Sequence, residues 1–379
     1  MPLLRLAFRP FYLGAAASAV VLMLLWPAVY AGRLALATGI APVLWHAHEM
    51  LFGFVAAVVV GFLLTAGKTW TQLPTPRGRM LGFLFLLWAG ARVAAVVAPY
   101  AVFFYLDVVF LPLIAALFID LLVRAKNWRN LAIAGVLALL SIANLFFHLA
   151  SSKALGLDPM RALHGGLALL VLLETLIAGR VIPMFTASVN PGLRVPRHAK
   201  LESAVPIATV SGLALWVFDG PAMLSAVVLF LAAALQAARA LSWFPWKSKG
   251  RPILWMLHAS YAWMPAGLAM LAAARIEMMP LSAAVHALAV GATGGLVLSM
   301  MTRTARGHTG RPVVASRLEV AAYGCLAAAA LLRVLASMST AVHLPALLAA
   351  GSLWIAAFAL YLRVFTPWLM TARADGRDG

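Results

Sequence analysis

The sequence predicts an all-α, polytopic membrane helix bundle of about twelve transmembrane helices, with the N- and C-termini cytoplasmic. Three observations predict it. The 379 residues are 64% hydrophobic and only 11% charged, with a mean hydropathy of +0.97, whereas soluble domains are near half apolar and about a quarter charged. Apolar runs of roughly 20 residues, the length that crosses a bilayer core, fill nearly the whole chain. The basic residues then fall on alternate sides of those runs.

Taken in order, the first run is 11–31, after Arg5 and Arg9. It is too long for a signal peptide, and its small residues Ala15, Ala16 and Ala17 stand at its start rather than at a cleavage site. The run at 45–66 follows a histidine-bearing string. Next come 81–98 and 101–123, turning at Pro99, then 130–150 and 162–184. A loop at 185–200 with Pro191 and Pro196 joins two sets of six. The second set is 201–218, 221–243, 252–274, 282–302, 318–337 and 343–365, followed by a tail at 366–379. Helices 1–6 (11–184) and 7–12 (201–365) thus form a single integral membrane domain, 1–379. All runs are long, Leu/Ala/Val-rich and without period-two polarity, which excludes barrel strands. Comparing one half with the other reveals no convincing repeat, which weakens a repeat-built transporter reading.

The net charge of +18 invites a nucleic-acid reading, but its distribution excludes it. With the N-terminus inside, 23 of the 29 Lys and Arg are cytoplasmic. Only Arg33, Lys153, Arg161 and Arg275 are outside, and Arg92 and Arg333 lie within helices. That is a positive-inside distribution, with basic loops facing an anionic inner leaflet. It predicts a multi-pass inner-membrane protein. The single cysteine, Cys325, excludes an internal disulfide and any thiolate cluster.

Six of the nine histidines, His46, His48, His148, His164, His286 and His343, fall at or just inside the periplasmic ends of helices 2, 5, 6, 10 and 12. His258 lies nearer the cytoplasmic end of helix 9, and His198 and His308 lie in cytoplasmic loops. Imidazole ligates haem iron and copper, and bundles build cofactor sites from facing helices at one level. The alternative is that some of these side chains cap helix ends. His46 and His48, two apart, point about 200° from each other on a regular helix, so both reach one ion only if the helix is irregular there. His148 and Asn144 share a face. Asn144 either joins helices or hydrogen-bonds a ligand at His148.

Among the other polar residues, Glu49 follows the histidine pair, and Glu174 is near the middle of helix 6. A carboxyl as deep as Glu174 is either protonated, paired or part of a proton path, and both carboxyls are candidate proton relays. Arg92 and Asp107 flank the Pro99 turn and read as an ion pair between helices 3 and 4. An arginine there is also a candidate for holding a haem propionate.

Several strings are more specific. They are FRPF at Phe8–Phe11, WHAHEMLFGF at Trp45–Phe54, GFLLTA at Gly61–Ala66 and NLFFH at Asn144–His148. GRVIPMFT follows at Gly179–Thr186, then MTR at Met301–Arg303 and GHTGRP at Gly307–Pro312. In this order they resemble the NnrS family over almost the whole chain. Two cytoplasm-side segments depart from the family pattern. Gly67–Gln72 reads GKTWTQ where VPNWTG is usual, and Ala178-Gly179-Arg180 stands for Gly-Gly-Arg.

The resemblance implies a twelve-helix membrane protein with haem and copper, linked to denitrification and to nitrosative-stress defence. By motif it implies His46, His48, His148 and His286 as leading haem or metal ligands. His164 and His343 come second, resting more on depth than on motif, and Arg92 is a candidate cofactor contact by its position alone. Nitric oxide is the expected ligand or substrate. In a reductase version Glu49 or Glu174 relays protons and an external electron donor is needed, since no donor domain is fused. Whether the protein is an enzyme stays open at this point. The alternatives are a copper or small-solute transporter, or a cofactor delivery or assembly factor. Transport predicts polar residues through the full membrane depth, whereas these histidines sit mostly at one level.

Overall fold

The computed structural model describes residues 1–377 and is all-helical, with no strand among them. Twelve helices follow in chain order. The first six are α1 Phe8–Tyr30, α2 Pro42–Thr71, α3 Gly78–Val97, α4 Tyr100–Arg124, α5 Trp128–Ser151 and α6 Pro159–Ser188. The rest are α7 Ala199–Val217, α8 Ala222–Ser242 and α9 Pro252–Arg275, then α10 Leu281–His308, α11 Arg317–Met338 and α12 His343–Met370. Ten are long and apolar enough to cross a membrane; α7 and α9 fall short of that measure. The multi-pass helical architecture therefore stands. The helices overrun the apolar runs at their ends. α10 continues to His308, so that residue ends a helix instead of lying in a loop.

The chain forms two compact units. The first comprises Met1–Leu169, Thr304–Pro312 and the chain from Tyr361 on, and the second Leu170–Arg303 and Val313–Leu360. In the first unit several of the motif strings have a structural explanation. The backbone N–H of Phe8 donates to Thr65 Oγ1 at 3.0 Å, and that hydroxyl donates to the Gly61 carbonyl at 2.7 Å. The fully buried Arg9 donates to the carbonyls of Leu369 (2.9 Å) and Thr371 (2.7 Å). It thus satisfies carbonyl groups that the end of α12 leaves open. Arg311 lies over the Trp368 ring. FRPF, GFLLTA and GHTGRP therefore tie α1, α2, α10 and α12 together at one end of the unit.

In the second unit, Gln236 of α8 donates to Thr175 Oγ1 (2.9 Å) and Thr209 Oγ1 (3.0 Å). Arg239 donates to the Thr175 carbonyl, Gln236 Oε1 and the Tyr261 hydroxyl. Hydrogen bonds between helices take up polar groups that lipid cannot satisfy. A β-carbon on Gly179 would meet the Arg239 guanidinium at 2.7 Å, which explains a glycine before Arg180.

One short element occurs twice. In α2, Pro42 starts the helix, His48 is the last regular residue, and Glu49–Val55 is π-helical. In α10, Pro280 precedes the helix, His286 is the last regular residue, and Ala287–Gly294 is π-helical. The spacing Pro-x5-His-x4-Gly is identical, ending at Gly53 and Gly291. Each glycine lies under a bulky side chain, Arg92 in the first case and Trp263 in the second. The repeat relates helix 2 to helix 10, which are not equivalent in a six-plus-six division. A comparison of halves therefore misses it.

Candidate metal centre

The site lies in the first unit and is built from α2 to α5. On a regular helix His48 and Glu49 would point roughly 100° apart. Here, at the switch to π-helix, His48 Nδ1 is 3.1 Å from Glu49 Oε1. π-Bulges of this kind gather at functional sites. Trp88 of α3 donates to the Gly53 carbonyl at 3.0 Å, fixing the π-helical stretch against its neighbour.

Asp107 of α4 is the hub. Its Oδ2 is 3.2 Å from His48 Nε2 and 3.0 Å from His148 Nε2, and accepts from Asn144 Nδ2 at 2.7 Å. Asn144 Oδ1 is 2.9 Å from His48 Nε2. Arg92 of α3 donates to Glu49 Oε1 at 2.6 Å and to Asp107 Oδ1, so the predicted Arg92–Asp107 pair is present with Glu49 added. His48, Glu49, Asp107, Asn144 and His148 are each at most 3% exposed. Phe147 stacks on His48 at 4.5 Å, and Phe103 stands edge-on to both imidazoles.

The donor set can hold a metal ion. One ligand atom from each of His48, Asp107 and His148 lies within 4.8 Å of the others. Bonds of about 2.0–2.1 Å to a tetrahedral ion place ligand atoms about 3.3 Å apart, close to the 3.2 and 3.0 Å between Asp107 Oδ2 and the two Nε2 atoms. When His48 Nδ1–H donates to Glu49, Nε2 carries the lone pair. It then faces Asp107 Oδ2 and Asn144 Oδ1, both acceptors. A carboxylate behind a ligating histidine is the usual outer-shell arrangement. With neutral imidazoles the formal charge of Glu49, Asp107 and Arg92 is −1, and Glu49 Oε2 is buried without a hydrogen bond. A cation at the centre would balance that charge.

The Tyr100 hydroxyl is 3.1 Å from His148 Nδ1 and donates to the His148 carbonyl at 2.9 Å. Tyr100 also lines a cavity of about 710 Å³ together with Thr38, Leu44, Ser151, Lys153 and Leu157.

The six predicted histidines are thus not one group. His48 and His148 meet. His46 stacks on Trp26 at 4.2 Å instead, separated from His48 as their spacing implies. His164 is two residues before Gly166, where the Phe52 ring packs. His286 Nδ1 is 2.7 Å from the Ser282 carbonyl, and His343 Nδ1 is 2.7 Å from the Ala336 carbonyl. Glu49 is in the cluster, whereas Glu174 belongs to the second unit, beside Thr293. Sequence reasoning missed the contacts of Asp107 with His48 and His148 and Tyr100 as a partner of His148. The signal for Asp107 was its position as an acid inside an apolar run.

Gly53 tests this packing. A β-carbon there would meet Arg92 Nη1 at 2.7 Å and Glu49 Oε2 at 3.4 Å. Gly53→Ala is expected to cost about 1–3 kcal/mol through overpacking. Gly135→Ala, whose β-carbon meets nothing within 4 Å, should be neutral or stabilising by up to about 1 kcal/mol. Thermal unfolding in detergent, followed by tryptophan fluorescence, compares the two. Equal effects would show that Gly53 is not needed for the approach of Arg92.

Fold and site together define a class: a multi-pass helical membrane protein with a buried set of metal-ligand side chains between its helices. Residues 2–373 match the family described as NnrS protein, and the chain belongs to the NnrS family. No curated protein matches it.

Proposed function

We propose that this chain is a copper- and haem-binding protein of the inner membrane that binds or detoxifies nitric oxide, with copper at His48, Asp107 and His148. The observation that supports copper there is that two imidazole nitrogens and one carboxylate oxygen lie within 4.8 Å of one another. Imidazole suits copper, and thiolate is not required. A net formal charge of −1 balances a monovalent cuprous ion. Glu49, in contact with His48, is placed to hold or pass a proton beside the ion. The cavity lined by Tyr100, whose hydroxyl contacts His148, supports approach of a small uncharged ligand from that side. The positive-inside distribution supports the periplasmic side for this end of the bundle, with the basic loops against anionic lipid.

Haem is supported by family membership and not by this cluster. The His48 and His148 rings are 5.3 Å apart, with Asp107 between them and phenylalanines around them, so no porphyrin fits there. The candidate haem ligands outside the cluster are then His46, His164, His286 and His343. Arg92, taken up by two carboxylates, is not available to a propionate. Reductive turnover would need an external electron donor; binding alone would not.

The test is an absorption spectrum of the detergent-purified protein, reduced and then exposed to nitric oxide, with copper and iron analysis. A Soret band that shifts with nitric oxide, with copper near one per chain, is the expected result. A colourless protein that holds copper would move the reading to copper transport or cofactor delivery. A protein binding neither would overturn it.

A further inference from the structure

The repeated element leads to a second site. In the first unit, the histidine before the π-helix is served by an intramembrane arginine on the next helix, Arg92, which two carboxylates neutralise. In the second unit the counterpart histidine is His286, and the next helix, α11, again carries an intramembrane arginine, Arg333. Its surroundings differ. Arg333 donates to the Ser337 hydroxyl at 2.6 Å and approaches the Ser282 hydroxyl at 3.5 Å. Ser282 Oγ is 3.1 Å from Ser337 Oγ and 3.3 Å from His286 Nδ1. Among the described residues, no carboxylate lies within ion-pair reach of Arg333. The acids of the first copy have no counterparts: Ala287 stands where Glu49 does.

An arginine inside an apolar helix is expensive unless something compensates its charge. Hydroxyls accept its hydrogen bonds but leave the charge uncancelled. We propose that Arg333, with Ser282, Ser337 and His286, forms a binding site for a singly charged oxyanion. The planar guanidinium fork matches two coplanar oxygens of a carboxylate, nitrate or phosphodiester. The two serine hydroxyls can turn their protons toward such an anion. The site stands at the start of α10 and the end of α11, where Ser282 is exposed, so a ligand reaches it without entering the core. The first copy of the element attracts a cation and the second an anion, because the acids are present in one and absent from the other.

The same chemistry has two sources, a free oxyanion or a lipid headgroup phosphate, and the medium separates them. Full-length protein in dodecyl maltoside, which carries no charge, is titrated calorimetrically with formate and with nitrate. One saturable site per chain is expected. Arg333→Gln should weaken it by about tenfold or more, the loss of a charge-assisted bidentate contact. Ser282→Ala/Ser337→Ala, which keeps the arginine, should weaken it by about three- to tenfold through lost hydrogen bonds. Thermal unfolding of each variant confirms that it is folded, and the serine pair carries the test if Arg333→Gln does not fold. Adding phosphatidylglycerol then assigns the occupant. Competition with formate identifies the headgroup phosphate, and no competition identifies the free anion. Absence of saturable binding in the wild type would overturn the proposal, as would equal affinity in the folded variants. Neither result depends on metal, so this test stands apart from that of the copper reading.

Discussion

His148→Ala is expected to lower copper affinity by at least about 100-fold, beyond the 10–100-fold typical of residues that only support a ligand. His46→Ala and His343→Ala should leave it within about twofold, because these imidazoles engage Trp26 and the Ala336 carbonyl instead. Asp107→Asn should resemble His148→Ala. It removes the carboxylate oxygen that touches both Nε2 atoms while keeping the side chain's size. Tyr100→Phe is an intermediate case. It removes the hydroxyl beside His148 Nδ1 but no ligand, so a loss of about tenfold is expected for a supporting contact. Competition titrations with a chromophoric chelator measure all five variants. Wild-type affinity in His148→Ala would eliminate this site. Equal losses in His46→Ala and His148→Ala would mean that copper sits on a different set of histidines.

The series separates what the sequence carried from what it did not. The helices were legible because a bilayer imposes a length of about 20 residues and the basic loops fix the alternation. Their ends were less so: α2 and α6 reach 30 residues each, and nothing in hydropathy marks where a helix continues past the apolar zone. The depth expected of the histidines rests on topology, and depth says nothing of rotation about each helix axis. The spacing of His46 and His48 did predict divergence, and they diverge. Which of the two meets His148 depends on the π-helical stretch after His48, whose register apolar periodicity does not encode.

Asp107 shows a different limit. It was read as the partner of Arg92, and it is; its second oxygen faces two imidazoles as well. A single partner inferred from position therefore hides the other half of a bidentate side chain. His286 shares its local sequence frame with His48, yet it belongs to the second unit with its own arginine and serines. The likeness relates helix 2 to helix 10, which a six-plus-six division of the chain does not superpose.

Arg92→Leu should move stability and metal affinity in opposite directions. Without metal, the variant leaves Glu49 and Asp107 buried with no cation, and breaking a buried pair on one side costs about 3–5 kcal/mol. The unfolding temperature of the metal-free protein should fall accordingly. The triple change Arg92→Leu/Glu49→Gln/Asp107→Asn removes the stranded charges and should recover most of that loss. Residues of one network couple in this way rather than adding. For metal binding the sign reverses. The formal charge around the centre goes from −1 to −2, so a divalent probe such as cobalt should bind more tightly to Arg92→Leu than to wild type. Because ligand binding stabilises by RT ln(1 + [L]/Kd), saturating cobalt should raise the unfolding temperature of the variant by more than that of wild type. Weaker stability together with weaker cobalt binding would show that Arg92 holds the ligands in place. Opposite signs would show that it acts as their counter-charge, the role its contacts with both carboxylates assign to it.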